Sequence, residues 1–467
     1  MAIAGEGRGE RGVFDRALVR AGNRRGWRVI ITGDCLDALR AMPSESVDAV
    51  VTDPPYGLGR PPPAADVLRA WLDGETYRAT GGGFMGASWD AFVPGPEVWR
   101  EVARVLKPGG HAVIFAGSRT LDWMGMSVRL GGLEIRDTLG WVYWSGFPKS
   151  MDVSKAIDAA AGAQGSRGPM KRGGERLARL KDGKRDGEGR WGDESGRDPF
   201  TYLPATDAAR RWSGWGTALK PAIEPVILAR KPFQGTVAAN VQRHGTGAIH
   251  IDGCRLAPGD LAWPGPGGSG QYAGGSGSWG GEQDGAGYGK LWSGVSVASD
   301  LGRWPANLYA CPKAPRSERE RGCDGLPARS GADAVQREEG SAGMQSPRAG
   351  AGRKREEVRN HHPTVKPIRL MRWLCRLVTP PGGLVVDPFA GSGSTGVAAA
   401  LEGFAFVGCE LDSGHVAIAE ARIGHAKTSP GEWADTAPGG KRKKAAKMAK
   451  VRKVKVKAVS HPTLFGW

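Results

Sequence analysis

Cysteine is scarce in this chain, with six residues in 467. They stand at 35, 254, 311, 323, 375 and 409, with no C-x-x-C pair among them. Such scatter excludes a disulfide framework and points to a reducing compartment. Cys254, Cys311 and Cys323 with His244 and His250 match no familiar zinc spacing, so no metal is expected. Long hydrophobic runs are also missing. No stretch approaches the roughly 20 apolar residues of a membrane helix, and Met1 to Gly12 lacks the apolar core of a signal peptide. The expectation is a soluble cytoplasmic protein without a membrane partner. Acidic residues are outnumbered, 48 against 65 basic, giving a net charge of +17 and a pI of about 9.8. That balance favours a polyanionic partner such as nucleic acid, or else a basic tail on an ordinary enzyme.

Glycine and proline, by contrast, are abundant, at 74 and 32 residues. They cannot fill helix or strand interiors, so the usable core is smaller than the length suggests. Residues 1–26 are basic and Gly-rich, and organised sequence begins with a strand at Trp27–Thr32. A short amphipathic helix through Leu36, Leu39 and Met42 follows, then a strand at Val47–Thr52. Residues 57–90 read as a Pro- and Gly-rich loop. A helix from Pro96 ends at Lys107-Pro108-Gly109-Gly110, with a strand at 112–116, a helix at 120–131 and a strand at 134–143 behind it. From 151 to 360 the chain reads as an irregular insertion: charged or Gly/Ser/Pro tracts surround islands such as the strand-like Pro221–Arg230. Order returns with a helix at 367–378, a strand to Asp387, a helix at 395–402, a strand at 404–410 and a helix at 414–423. This β-α-β-α spacing suits a doubly wound α/β sheet. The remainder, 426–467, is polar and basic.

Two strand-ending motifs carry the chemistry: Asp53-Pro54-Pro55-Tyr56, and Asp387-Pro388-Phe389-Ala390-Gly391-Ser392-Gly393-Ser394-Thr395. Buried strands that end in such turns deliver side chains to the carboxyl edge of a sheet. An aromatic exocyclic amine is a poor nucleophile because its lone pair is delocalised into the ring. Two acceptors around its N–H groups, the Asp53 carboxylate and the Pro54 carbonyl, localise that lone pair on a turn stiffened by Pro54 and Pro55. Tyr56 offers a face on which an extruded base can stack. The other reading of this tetrapeptide is an ordinary Pro-rich turn with a surface tyrosine. Gly391-Ser392-Gly393 permits close backbone approach to a ligand carboxylate, or forms a turn with no ligand. Glu410 ends a strand about 20 residues beyond that loop, where an acid accepts from ribose hydroxyls. Both Glu410 and Asp34 could equally be solvated strand-end carboxylates.

Together these residues resemble the DNA amino-methyltransferases, which methylate adenine N6 or cytosine N4 from S-adenosylmethionine. The catalytic motif precedes the cofactor motif, as in the permuted, beta-type branch of that family. The resemblance covers about residues 28–150 and 360–425. It implies a circularly permuted, Rossmann-like methyltransferase sheet: a catalytic half at 27–150, a target-recognition insertion at 151–360 and a cofactor half at 361–425. By the same resemblance, Asp387, Phe389, Ala390, Gly391, Ser392, Gly393 and Thr395 line the cofactor and Asp34 lies near its adenine. His362-Pro363-Thr364-Val365-Lys366-Pro367 is similar to a family segment at the methionine end, which brings in Thr364 and Lys366. The Asp at the head of the tetrapeptide leans toward adenine, with cytosine N4 as the alternative and an RNA or protein amide as a more distant one. Double-stranded DNA is the implied partner, with room for a cognate restriction endonuclease, in a monomer or homodimer of a prokaryotic or phage-infected cell. A nicotinamide-dependent dehydrogenase fits less well, since residues 391–396 match its glycine fingerprint only superficially.

Overall fold

The computed structural model describes residues 28–79, 88–143, 146, 150–170, 200–256, 304–329 and 358–436. The 1–26 segment, the basic runs at 441–444 and 451–457, and most of the Gly-rich tracts noted above lie outside the described residues. Along the chain run β1 (Arg28–Thr32), α1 (Cys35–Ala41), β2 (Val47–Thr52), α2 (Ala64–Leu72), α3 (Pro96–Val105), β3 (Leu106–Phe115), α4 (Leu121–Leu130) and β4 (Glu134–Val142). Then come α5 (Val153–Ala160), β5 (Ser166–Met170), β6 (Phe200–Leu203), α6 (Asp207–Arg211), β7 (Ile223–Arg230), α7 (Val237–His244), β8 (Leu308–Ala310) and α8 (Arg316–Glu320). The last elements are α9 (Ile368–Val378), β9 (Leu384–Asp387), α10 (Ser394–Glu402), β10 (Ala405–Glu410) and α11 (Ser413–Thr428).

Eight strands form the main sheet in the order β1-β10-β9-β2-β3-β7-β4-β8, and β5 pairs with β6 in a small second sheet. The pairings from β1 through β3 are all parallel. Only β7 runs antiparallel to its neighbours β3 and β4. Alternate side chains of these strands go to opposite faces, and the core divides accordingly. Ala49, Val51, Val113, Phe115, Val226, Leu228, Val385 and Phe406 pack with α9, α10 and α11 on one face. Val47, Val50, Ala112, Ile114, Ile227, Ala229 and Val386 pack with α1, α2, α3 and α4 on the other. Covering both faces is what lets a largely parallel sheet read as continuous apolar runs.

Local sequence explains the element ends. Helix α3 starts with Gly95 at the N-cap and Pro96 at its first turn. Val98, Val102 and Val105 bury one stripe of it together with Trp99, and each such side chain contributes roughly 1.5–3 kcal/mol. The helix stops before Lys107-Pro108, because the residue preceding a proline is pushed out of the helical region. The chain then enters β3 directly, six residues before the expected strand start at 112. Helix α2 lies inside the segment expected to be loop. Three prolines at 61–63 hide it in composition, yet Pro63 sits at the N-cap and Val67 and Trp71 are buried one turn apart. The 151–360 stretch is likewise not confined to appended loops. Every residue from Pro225 to Ala229 of β7 is buried, and this strand joins β3 to β4.

Candidate active site

Strand β2 is buried along its whole length and ends at Thr52, so the next residue, Asp53, emerges at the carboxyl edge of the sheet. The neighbouring strand β9 ends at Asp387, whose Oδ1 accepts a hydrogen bond from the Thr52 hydroxyl at 2.6 Å. The Asp53-Pro54-Pro55-Tyr56 and glycine-rich turns are therefore tied together one residue from Asp53, although 335 positions separate Thr52 from Asp387.

Asp90 fixes the backbone of the first turn, accepting from the N–H groups of Tyr56 (2.7 Å), Gly57 (2.9 Å) and Leu58 (3.2 Å). Thr120 Oγ1 donates to the Tyr56 carbonyl at 2.6 Å. The Tyr56 hydroxyl lies 2.8 Å from Asp53 Oδ1 and 3.2 Å from Glu224 Oε2. Lys366 pairs with Asp53 Oδ2 and lies 3.5 Å from Glu224 Oε2. Its ammonium also sits 5.2 Å from the centre of the Tyr56 ring and 4.9 Å from that of Phe115. Burial raises the Asp53 carboxyl above its ordinary value, with Lys366 opposing the shift. Burial alone would discharge Lys366, but Asp53 and Glu224 hold its pKa up. Burial and the two carboxylates push the Tyr56 phenol well up, so it is a neutral donor.

The second turn is built by its own side chains. Asp387 Oδ2 accepts from Thr395 Oγ1 at 2.6 Å, and Oδ1 also accepts from the Phe389 N–H at 3.1 Å. Burial pushes this carboxyl up to about 6 despite those donors. Gly391 donates its N–H to Glu410 Oε2 at 2.8 Å. Gly391 and Gly393 have φ of +51° and +74°, in the left-handed region open to glycine. A Cβ on Gly391 would stand 2.7 Å from His362 Nε2. Ser392 is buried, and its carbonyl and hydroxyl accept from Arg422 at 2.6 and 3.0 Å. Phe389 is half-buried and Ala390 buried, its N–H bonded to the Cys409 carbonyl at 2.8 Å.

The other expected site residues are placed less uniformly. Asp34 is exposed at the end of β1, where it caps α1 through the Leu36 N–H at 2.8 Å. Thr364 is exposed, its N–H directed to His362 Nδ1 at 3.3 Å. Lys366, expected at the methionine end of a cofactor, ion-pairs with the Asp53 carboxylate. Glu224, which falls in the stretch expected to carry target recognition, also reaches Tyr56 and Lys366. Asp90 escapes the sequence motifs altogether; its place just before a Pro-initiated helix is the available signal. Of potential metal ligands, His361, Asp412 and His415 come within 4.8 Å of one another. Asp412 there is already the N-cap of α11, accepting from the His415 N–H at 3.0 Å.

The sheet order gives these groups a common geometry. β1, β10, β9 and β2 are consecutive neighbours, and at their carboxyl ends stand Asp34, Glu410, Asp387 and Asp53. Strands spaced about 4.8 Å apart spread the four acids over roughly 14 Å.

Comparison with known proteins identifies the family. The N6_N4_Mtase family model, described as DNA methylase, matches residues 47–160 and 262–421. The chain belongs to this DNA methylase family. It is 51% identical over 51 residues to YubD of Escherichia coli (strain K12), a methylase by name, covering 11% of this chain and 22% of YubD. It is 38% identical over 63 residues to the DNA adenine methyltransferase YhdJ of the same organism, covering 14% of this chain and 21% of YhdJ. The chain thus spans about a fifth of the length of these relatives. Among solved structures, the cytosine-N4-specific PvuII DNA methyltransferase aligns with a TM-score of 0.39 and 15% identity, over 85% of this chain and 87% of that one. Among the described residues, no helix is long and apolar enough to cross a membrane.

Proposed function

We propose that this protein transfers a methyl group from S-adenosylmethionine to the exocyclic amine of a flipped base in double-stranded DNA, adenine N6 in preference to cytosine N4. The carrying observation is the Thr52–Asp387 hydrogen bond, which holds the amine-activating turn against the glycine-rich turn. The residues suit the cofactor: Gly391 and Gly393 adopt the left-handed backbone that shapes the turn, and Glu410 and Asp34 stand at strand ends toward the sheet edge. When bound, S-adenosylmethionine supplies an electrophilic methyl carbon on a sulfonium. Asp53 accepts one amine N–H and the Pro54 carbonyl the other, and the carboxylate offsets the positive charge that grows on nitrogen. Tyr56 stacks on the extruded base, and the two tied turns hold amine and methyl in line.

The preference for adenine rests on Asp53 at the head of its tetrapeptide, and YhdJ is a DNA adenine methyltransferase by name. In this reading residues 27–150 and 361–425 are the two halves of a permuted catalytic domain, and 151–360 carries target recognition. The protein works on DNA in the cytoplasm, as a monomer or homodimer, with or without a cognate restriction endonuclease. Modification-sensitive long-read sequencing of DNA from a methylation-free host expressing the protein, beside Asp53→Ala, tests the proposal. The expected result is N6-methyladenine at one short motif, absent from the variant. Methylcytosine instead would correct the base, and soluble, cofactor-binding protein that leaves DNA unmodified would refute the substrate.

A further inference from the structure

Both oxygens of the Asp53 carboxylate are engaged, Oδ1 by the Tyr56 hydroxyl and Oδ2 by the Lys366 ammonium. Those partners weaken the acceptor that the methyl-transfer reading requires. An ammonium beside the reacting amine also has the wrong sign, because methylation builds positive charge on nitrogen. A carboxylate accepts at about four sites, so Asp53 can still receive an amine N–H, and a second carboxylate that shares these two donors strengthens it as that acceptor. Glu224 is placed to do so. Its Oε2 lies 3.2 Å from the Tyr56 hydroxyl and 3.5 Å from Lys366 Nζ. A phenol has a single O–H to donate, so Tyr56 can serve Asp53 or Glu224 well, and turning the hydroxyl exchanges them. Lys366 is 5% exposed and lies between the two carboxylates, so it stays charged and changes partner by a small shift.

Glu224 is itself anchored for this role. It stands on β7, registered opposite Trp141 of β4. Its Oε1 lies 3.4 Å from Lys313 Nζ, which sits 4.2 Å from the centre of the Tyr143 ring. Burial alone would neutralise Glu224, but Lys366 and Lys313 keep its pKa below the ordinary carboxylate value.

We propose that Glu224 is a positioning residue for methyl transfer: it draws the Tyr56 hydroxyl and the Lys366 ammonium toward itself, strengthening the Asp53 carboxylate as acceptor for the target amine. The proposal rests on the DNA-methyltransferase reading above. Its test is steady-state methylation of unmethylated genomic DNA with labelled S-adenosylmethionine by the full-length wild type, E224Q, E224D and D53A. The expectation for E224Q is a kcat reduced about ten- to a hundredfold, with KM for cofactor and for DNA within about threefold of wild type. E224D keeps the charge and is expected to recover at least about threefold of that loss. A kcat for E224Q within about threefold of wild type overturns the proposal. So does a loss that E224D fails to relieve, or one that tracks a lower melting temperature or weaker cofactor binding. If wild type and D53A alike bind cofactor yet transfer no methyl to DNA, the functional reading has failed, and this proposal falls with it. An active wild type beside an unimpaired E224Q would overturn the Glu224 role alone.

Discussion

Asp387 serves three donors at once: the hydroxyls of Thr52 and Thr395 and the N–H of Phe389. Its motif places it at the sheet edge, but nothing in that motif shows that its lone pairs are committed to joining two turns. Threonines at 52 and 395 look like any strand-end or helix-start residue until the fold brings them together. The carboxyl is fully enclosed, and burial pushes its pKa up to about 6. An unfolded aspartate titrates near about 3.9. The folded state therefore binds this proton more tightly than the unfolded state does. Stability from the group is complete below about pH 4 and is lost as the pH rises toward about 6. Each pH unit between those two values corresponds to about 1.4 kcal/mol. Asp387→Asn removes the titration while keeping an oxygen acceptor, and the threonine hydroxyls can turn to accept from its amide. The melting temperature of wild type minus that of D387N is expected to fall as the pH is raised from 4 to 7. A difference that stays flat or grows across that range would contradict a raised Asp387.

The turn between β9 and α10 depends on glycine for two separate reasons at one position. Gly391 has φ of +51°, and a Cβ there would meet His362 Nε2 at 2.7 Å. Left-handed backbone costs a non-glycine residue roughly 1–2 kcal/mol, and the imidazole adds a clash. Gly391→Ala is expected to weaken S-adenosylmethionine binding about tenfold or more by calorimetry, since about 1.4 kcal/mol is tenfold. Removing the ring in G391A/H362A should restore only the steric part. Unchanged binding in G391A would mean that this turn does not form the cofactor site. The turn is legible in sequence because its glycines follow a short apolar strand and precede a helix. The same logic finds β2, β9 and β10, where apolar runs end in distinctive residues. It fails where composition and packing disagree. Helix α2 is hidden by the prolines before it, although the Val67 and Trp71 spacing is present. Strand β7 is recognisable as a strand but not as a neighbour of β3, because nothing local to Ile223–Arg230 names a partner over a hundred residues away. That pairing brings Glu224 to Tyr56. Asp90 arrives in the same way, by folding back 34 positions onto the Tyr56 N–H. Tertiary pairing, rather than motif chemistry, sets the limit of what the sequence discloses.

Charge is distributed unevenly along the chain, and in the proposed reading this bears on how it meets DNA. The net charge is +17, yet the carboxyl edge of the sheet carries Asp34, Asp53, Glu410 and Asp387. An acidic edge repels phosphate, so attraction for the DNA backbone must come from elsewhere in the chain. Residues 437–467 hold ten of the 65 Lys and Arg residues and no Asp or Glu. Each phosphate neutralised adds about 0.9 to the dependence of log affinity on log salt. If about half of those ten charges touch phosphate, deleting 437–467 should reduce the salt slope by roughly 4 to 5. Affinity for DNA of any sequence would fall most at low salt. In the proposed reading the residues that carry methyl transfer lie within 27–425, so the motif methylated and kcat at saturating DNA should remain as in wild type. Fluorescence-anisotropy titrations of a random duplex across a salt series, with both forms, measure the slope directly. An unchanged slope would place the phosphate contacts before residue 437; the proposed recognition stretch at 151–360 would then supply both the affinity and the sequence choice.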